Sequence, residues 1–139
     1  MIKTILFATD ASGASERALV YVEHLARLEQ ARVHVFHAYE PPQRYSGIDG
    51  FEELREQFRR VAQAAVDDST EFLREAGVEA EGEVVEGAAA PAILEAARRH
   101  DVDLIVIGTR GPSSVAEMLL GSVSTQVLRY APCPVLVVP

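Results

Sequence analysis

The feature that most constrains this chain is an alternation of short apolar blocks with longer amphipathic stretches, repeated from one end to the other. The first block, Thr4-Ile5-Leu6-Phe7-Ala8, is apolar throughout, as a strand buried on both faces requires. Ala18, Leu19, Val22, Leu25 and Ala26 then recur at helical spacing behind Asp10, Ser12 and Ser15, three residue types that cap helices. Residues 33–39 form the second strand. Pro41-Pro42 halts regular structure, so residues 41–50 read as a surface loop. From Phe51 a long helix is expected to bury Leu54, Phe58, Val61, Ala62, Ala65, Phe72, Leu73 and Ala76 and to stop at Gly77. Residues 81–86 set Val84 and Val85 among three glutamates, which is how a sheet edge is guarded.

The second half repeats the scheme. Residues 88–100 read as a helix that tolerates Pro91 in its first turn and turns Ile93, Leu94 and Ala97 inward. Leu104-Ile105-Val106-Ile107 is the most uniformly apolar strand, and residues 121–131 form a last helix burying Val127 and Leu128. Residues 134–138 close the chain as a fifth strand. A βαβαβαβαβ order with right-handed crossovers gives an α/β fold, a single open doubly wound sheet of five parallel strands with helices on both faces. The two most apolar strands, first and fourth, belong side by side in the middle, so the order is 3-2-1-4-5. Residues 1–139 are read as one domain, without linker or internal repeat. Such a sheet binds ligands beyond the carboxyl ends of its strands, where the winding reverses. The residues that follow Ala8 and Ile107 are therefore the ones to inspect.

Charge and cysteine content narrow the functions. Thirteen Lys and Arg against twenty-one Asp and Glu give a formal net charge of −8, which repels nucleic acid and anionic lipid at long range. Neither a nucleic-acid nor a membrane partner is expected. Cys133 is the only cysteine, so no intramolecular disulfide or zinc framework forms. The apolar run near the start is too short for a secretion signal or a membrane span, and the expected location is the cytoplasm.

After Ile107 the chain reads Gly108-Thr109-Arg110-Gly111, then nine residues, then Gly121-Ser122-Val123-Ser124. Glycines let main chain approach a ligand, and the opening turn of the last helix offers unpaired N–H groups and a positive dipole end. Hydroxyls of Ser122 and Ser124 add donors. Together they form an anion cradle that needs no lysine. Taken singly, the glycines also suit turns and tight packing, and the serines suit caps. Asp10, across the crevice, either caps the first helix or accepts from ribose hydroxyls or a phosphate-bound Mg²⁺. No Walker lysine loop and no G-x-G-x-x-G motif is present.

The spaced glycines with Gly121-Ser122-Val123-Ser124, Asp10-Ala11-Ser12, the helix start Ala92-Ile93-Leu94-Glu95-Ala96-Ala97 and the tail Ala131-Pro132-Cys133-Pro134-Val135-Leu136-Val137-Val138 resemble the universal stress protein (UspA-like) family, ATP-binding type. The resemblance covers nearly the whole chain. It implies a cytoplasmic, homodimeric α/β domain that binds ATP with Mg²⁺ and serves the stress response. Carried over by position, Ala8, Asp10 and the backbone near Ala38 would line the adenosine, and Ile107 and Gly108 the base and ribose side. Arg110, Gly111, Gly121, Ser122, Val123 and Ser124 would hold phosphates. The chain departs from the pattern at Pro112-Ser113-Ser114 and at Glu117, a carboxylate that repels a γ-phosphate unless it points away.

Other residues look chemical without being so. His34 and His37 are an odd step apart on a strand, project to opposite faces and cannot share a metal; His24 and His100 belong to separate, exposed helix ends. Cys133 reads as a small buried hydrophobe. No G-x-S-x-G elbow occurs, and ATP hydrolysis would need a water-positioning base for which only Asp10 offers itself. The expected function is a nucleotide-dependent sensor read by a protein partner. A slow ATPase and a dimeric interaction protein are the alternatives. The last strand, Val135-Leu136-Val137-Val138, carries no charge or interior proline, so it is expected to pair with its two-fold mate.

Overall fold

The computed structural model describes residues 1–109 and 121–139 of the 139-residue chain. Arg110 and Gly111, both expected in the site, lie outside the described residues, as do Pro112 and Glu117. The elements run β1 (Thr4–Ala8), α1 (Gly13–Glu29), β2 (Arg32–Tyr39), a 3₁₀ turn (Gln43–Tyr45), α2 (Phe51–Glu75), β3 (Ala80–Glu86), α3 (Ala89–Arg99), β4 (Leu104–Gly108), α4 (Ser122–Tyr130) and β5 (Val135–Val138). The sheet order is β3-β2-β1-β4-β5, every pairing parallel. That is the expected topology. The crossover from β2 and β3 on one side to β4 and β5 on the other puts the reversal between β1 and β4.

Alternation along the strands divides the core into two layers. Ile5 and Phe7 of β1 pack with Val22 of α1 and Val66 and Leu73 of α2. Leu6 and Ala8 face the other way, against Ile93 and Ala97 of α3 and Val127 of α4. β1 is buried along its whole length, as is β4 up to Ile107, because each lies under helices on both faces.

Local signals in the sequence set the helix ends. Ser12 caps α1, its hydroxyl accepting from the Ser15 N–H at 3.2 Å. Gly77, at φ +85°, ends α2 in a left-handed turn. There the Val78 N–H reaches the Leu73 carbonyl at 2.9 Å and the Gly77 N–H reaches that of Arg74 at 3.0 Å, and both apolar partners are buried.

Three expectations need correction. The buried stripe of α2 is Ala62, Val66, Ser69, Thr70 and Leu73, while Val61 and Phe72 are exposed. Polar residues hold inward positions because the Thr70 hydroxyl donates back to the Val66 carbonyl at 2.7 Å. Val66 itself needs Gly82 of β3, since a Cβ there would stand 2.4 Å from its Cγ1. Leu128 is 42% exposed, because α4 turns only Val127 and Ser124 fully inward. His100 is no free helix end: it closes α3 half-buried and stacks on His34, ring centroids 4.0 Å apart.

β5 lies at the sheet edge opposite β3, and Val135, Leu136 and Val137 are half-buried. Among the described residues no helix is long and apolar enough to cross a membrane.

The burial of His34 makes stability depend on pH. Burial, joined by the charge of His100, holds His34 below the ordinary histidine value, while Glu81 and Glu83 oppose the shift. The unfolded chain therefore takes up this proton first, near pH 6.5. Stability is full above that point and falls as the pH drops toward the folded value. Urea midpoints between pH 7 and pH 5 should fall more steeply for the wild type than for His34→Gln, and parallel slopes would exclude His34 as the cause.

Candidate functional site

The site forms where β1 and β4 end. The Thr9 N–H still donates to the Phe36 carbonyl at 2.9 Å, after which the chain leaves the sheet and turns into α1. Asp10 organises that turn. Its Oδ1 accepts from the Ser12 N–H at 2.9 Å and from the Ser15 hydroxyl at 2.7 Å, and the Asp10 N–H donates to Ser15 Oγ at 3.0 Å. The cap of α1 is thus Ser12, with Asp10 bracing it from two residues upstream. Burial works to raise the Asp10 carboxyl, but hydrogen bonds from Ser12 and Ser15 outweigh it and hold the group below the ordinary carboxylate range. Ala11 bears the cost of the tight turn, at φ +64° without being glycine.

Across the crevice stands the opening of α4. Gly121 is its N-cap, and among the described residues no side chain caps it. The first helical bond runs from the Thr125 N–H to the Gly121 carbonyl at 3.0 Å, so the amides of Ser122, Val123 and Ser124 have no intrahelical acceptor. Those amides and the dipole make this corner attractive to an anion.

Between the two corners lies a crevice of about 510 Å³, within the range of small-molecule sites. Ala8, Phe36, Ala38 and Ile107 give it an apolar floor, with Ile93 and Ala89 of α3 and Phe58 of α2 on its walls. Asp10, His37, Tyr39 and Glu40 line one side, and Gly121, Ser122, Val123 and Ser124 the other. Every described residue expected in the site therefore borders one cavity, Gly108 included. The floor and walls suit a flat apolar group, and the α4 corner suits an anion. Among the described residues no cluster of three or more metal-binding side chains occurs.

Two of the glycines differ in purpose. A Cβ on Gly108 would lie 2.7 Å from the Ala14 carbonyl carbon and 2.8 Å from the Ser15 nitrogen, both backbone atoms of α1. Gly108 thus serves the packing of α1 on β4. A Cβ on Gly121 would meet no described atom within 4 Å.

Sequence reasoning pointed to the residues after Ala8, which include Thr9, but missed Phe36, His37, Tyr39 and Glu40 as lining residues, although their place at or just beyond the carboxyl end of a strand beside β1 was available as a signal. Phe58, Ala89 and Ile93 had no such signal, because their arrival depends on how α2 and α3 lie on the sheet. Cys133 is half-buried among apolar neighbours, where burial first and Asp103 second push its thiol up, so it is no nucleophile.

The model of the universal stress protein family matches residues 1–139. The chain belongs to the universal stress protein family. It is 42% identical over 139 residues to a universal stress protein of Thermus aquaticus found in the QAH/OAS sulfhydrylase 3′ region, covering 99% of each chain. Among solved structures it resembles that of MJ0577, a universal stress protein of Methanocaldococcus jannaschii, at TM-score 0.87 and 30% identity, over 99% of this chain and 96% of that one. It also resembles a universal stress protein in complex with cAMP, at TM-score 0.76 and 29% identity, covering 99% and 97% of the two chains.

The contrast between the glycines is measurable. Gly108→Ala forces backbone apart and should cost about 1–3 kcal/mol in urea unfolding. Gly121→Ala should cost less than about 1 kcal/mol, the ordinary difference between these residues at an N-cap. Equal losses would contradict the division of roles.

Proposed function

We propose that the crevice binds an adenine nucleotide, ATP with Mg²⁺, and that the protein acts as a nucleotide-dependent sensor in the stress response. The observation that carries this reading is the α4 corner, where amides without an intrahelical acceptor border a cavity and a Cβ on Gly121 would meet no described atom within 4 Å. The family relative in complex with cAMP supports the same ligand class. Ala8, Ala38 and Ile107 lie along the adenosine, with Gly108 beside the ribose. Asp10 offers Oδ2 to a ribose hydroxyl or a phosphate-bound Mg²⁺, its Oδ1 being engaged by Ser12 and Ser15. Gly121, Ser122, Val123 and Ser124 hold the phosphates, joined by Arg110 and Gly111.

Binding rather than turnover is the expected activity. Hydrolysis needs a base that orients water, and Asp10 is already employed in bracing the α1 turn. The protein is placed in the cytoplasm and passes its nucleotide state to a protein partner.

A thermal shift with Mg²⁺ and ATP, AMP or no nucleotide tests the reading. At a hundred times Kd a ligand of the native state adds about 2.7 kcal/mol. Gly121→Val should abolish the shift while keeping the fold, because its branched side chain fills the phosphate corner. No shift in the wild type would leave the interaction-protein alternative, and ADP release above the Gly121→Val background would establish an ATPase.

The same proposal includes a two-fold dimer through β5. The half-buried, uncharged edge Val135–Val138 is the kind of strand that needs a partner. Light scattering at micromolar concentration should give twice the monomer mass, and Val137→Lys should return the monomer. A wild-type monomer under those conditions would remove the dimer.

A further inference from the structure

α2 carries more apolar surface than the core uses. Beside its buried face runs a second stripe, Phe58, Val61, Ala65, Asp68 and Phe72, whose steps of three and four residues place them on one side of the helix. Val61 and Phe72 are 68% and 44% exposed. Single exposed apolar residues are ordinary on a protein surface, but this stripe borders a cavity. The cavity, of about 250 Å³, lies between α2 and the first turns of α1: Ala65, Asp68, Ser69 and Phe72 come from the one, Glu16 and Leu19 from the other. Both helices pack on the Ile5–Phe7 layer of the core, and the cavity is the groove that separates them there.

Size and charge select the occupant. At about 250 Å³ the groove falls below the range of roughly 300–1,000 Å³ that small-molecule sites span, and the apolar stripe continues past it along α2 to Val61. From Val61 to Phe72 the helix rises about 16 Å, roughly three turns. Such a groove suits a partner helix that anchors side chains at i, i+4 and i+7. Among the described residues, the charged side chains that line it are Glu16 and Asp68. Elsewhere on these helices carboxylates are paired, Glu23 with Arg27 and Glu56 with Arg59. Neither Glu16 nor Asp68 has an ion-pair partner among the described residues. Apolar surface flanked by two such carboxylates, on a chain of net charge −8, favours a cationic partner and repels an anionic one.

We propose that the α1–α2 groove docks an amphipathic, basic helix of a protein partner, with apolar side chains laid along Val61, Ala65 and Phe72 and lysines or arginines meeting Glu16 and Asp68. The proposal rests on the sensor reading above only in taking a protein partner to exist, and it adds where and by what chemistry that partner binds. One end of the groove adjoins the nucleotide crevice. Thr9 and Ser15 line both cavities, and Phe58, at the head of the stripe, belongs to the crevice wall. A helix seated there abuts the β1–α1 turn that Asp10 braces, so the two sites share one structural element.

Two synthetic helices test the docking on the nucleotide-free protein: one carries leucines at i, i+4 and i+7 flanked by arginines, the other has every arginine replaced by glutamate. Amide NMR should show the arginine peptide shifting Leu19, Ala65 and Phe72, with an affinity that falls as salt rises. Asp68→Lys and Phe72→Ser should each weaken it about tenfold, and Asp68→Lys should narrow the preference over the glutamate peptide. Both positions are exposed, so urea midpoints close to that of the wild type should show that the variants remain folded. The docking is overturned if neither peptide binds, if both bind alike, if the shifts fall outside the groove, or if the variants bind as the wild type does. A mass by light scattering that falls on Phe72→Ser would assign the groove to a second copy of this chain and overturn it too. The ATP thermal shift is scored separately: peptide docking without it keeps the groove and removes the nucleotide reading, and the reverse result removes the groove alone.

Discussion

The structure depends on the close approach of α1 to the end of β4. Backbone of Ala14 and Ser15 sits where a side chain of residue 108 would otherwise be, and only glycine permits that distance. This contact seats the first turn of α1 over the sheet beside β4. The Asp10–Ser12–Ser15 hydrogen bonds then have a fixed position relative to the strand ends, and the crevice acquires one rigid wall. Gly108 therefore shapes the frame around the crevice as well as bordering it.

The two sides of the crevice are built on opposite principles. On the Asp10 side the donors and acceptors are largely satisfied by one another: Ser12 caps, Ser15 both donates and accepts, and Asp10 is held ionised. On the α4 side the first amides have no intrahelical acceptor, and among the described residues no side chain caps Gly121. An anionic rim whose groups satisfy one another faces the positive dipole end of α4 across an apolar floor. That polarity would suit a ligand carrying hydroxyls at one end and negative charge at the other, even on a chain of net charge −8.

The histidines illustrate how the same residue type takes its meaning from its surroundings. His34 and His37 lie on one strand and project to opposite faces. The first stacks on His100 at the end of α3. The second borders the crevice, as does Asp10. Spacing excluded a shared metal for the pair, but it said nothing of His100, whose arrival beside His34 is a consequence of where α3 ends on the sheet.

Sequence by itself determined the strands, the strand order and the two corners of the site. Unbroken apolarity in β1 and β4 requires cover on both faces, the glutamates of β3 suit an edge, and Ser12 and Gly77 fix helix ends through hydrogen bonds spanning only a few residues. Tertiary structure decided which face of α2 is buried, which glycine serves packing and which leaves space, and which histidines find neighbours. Those outcomes depend on the separation of elements far apart in the chain, such as Val66 over Gly82 and Ala14 over Gly108. Period and composition describe one element at a time, whereas a distance of 2.7 Å between two backbones exists only once both have been placed.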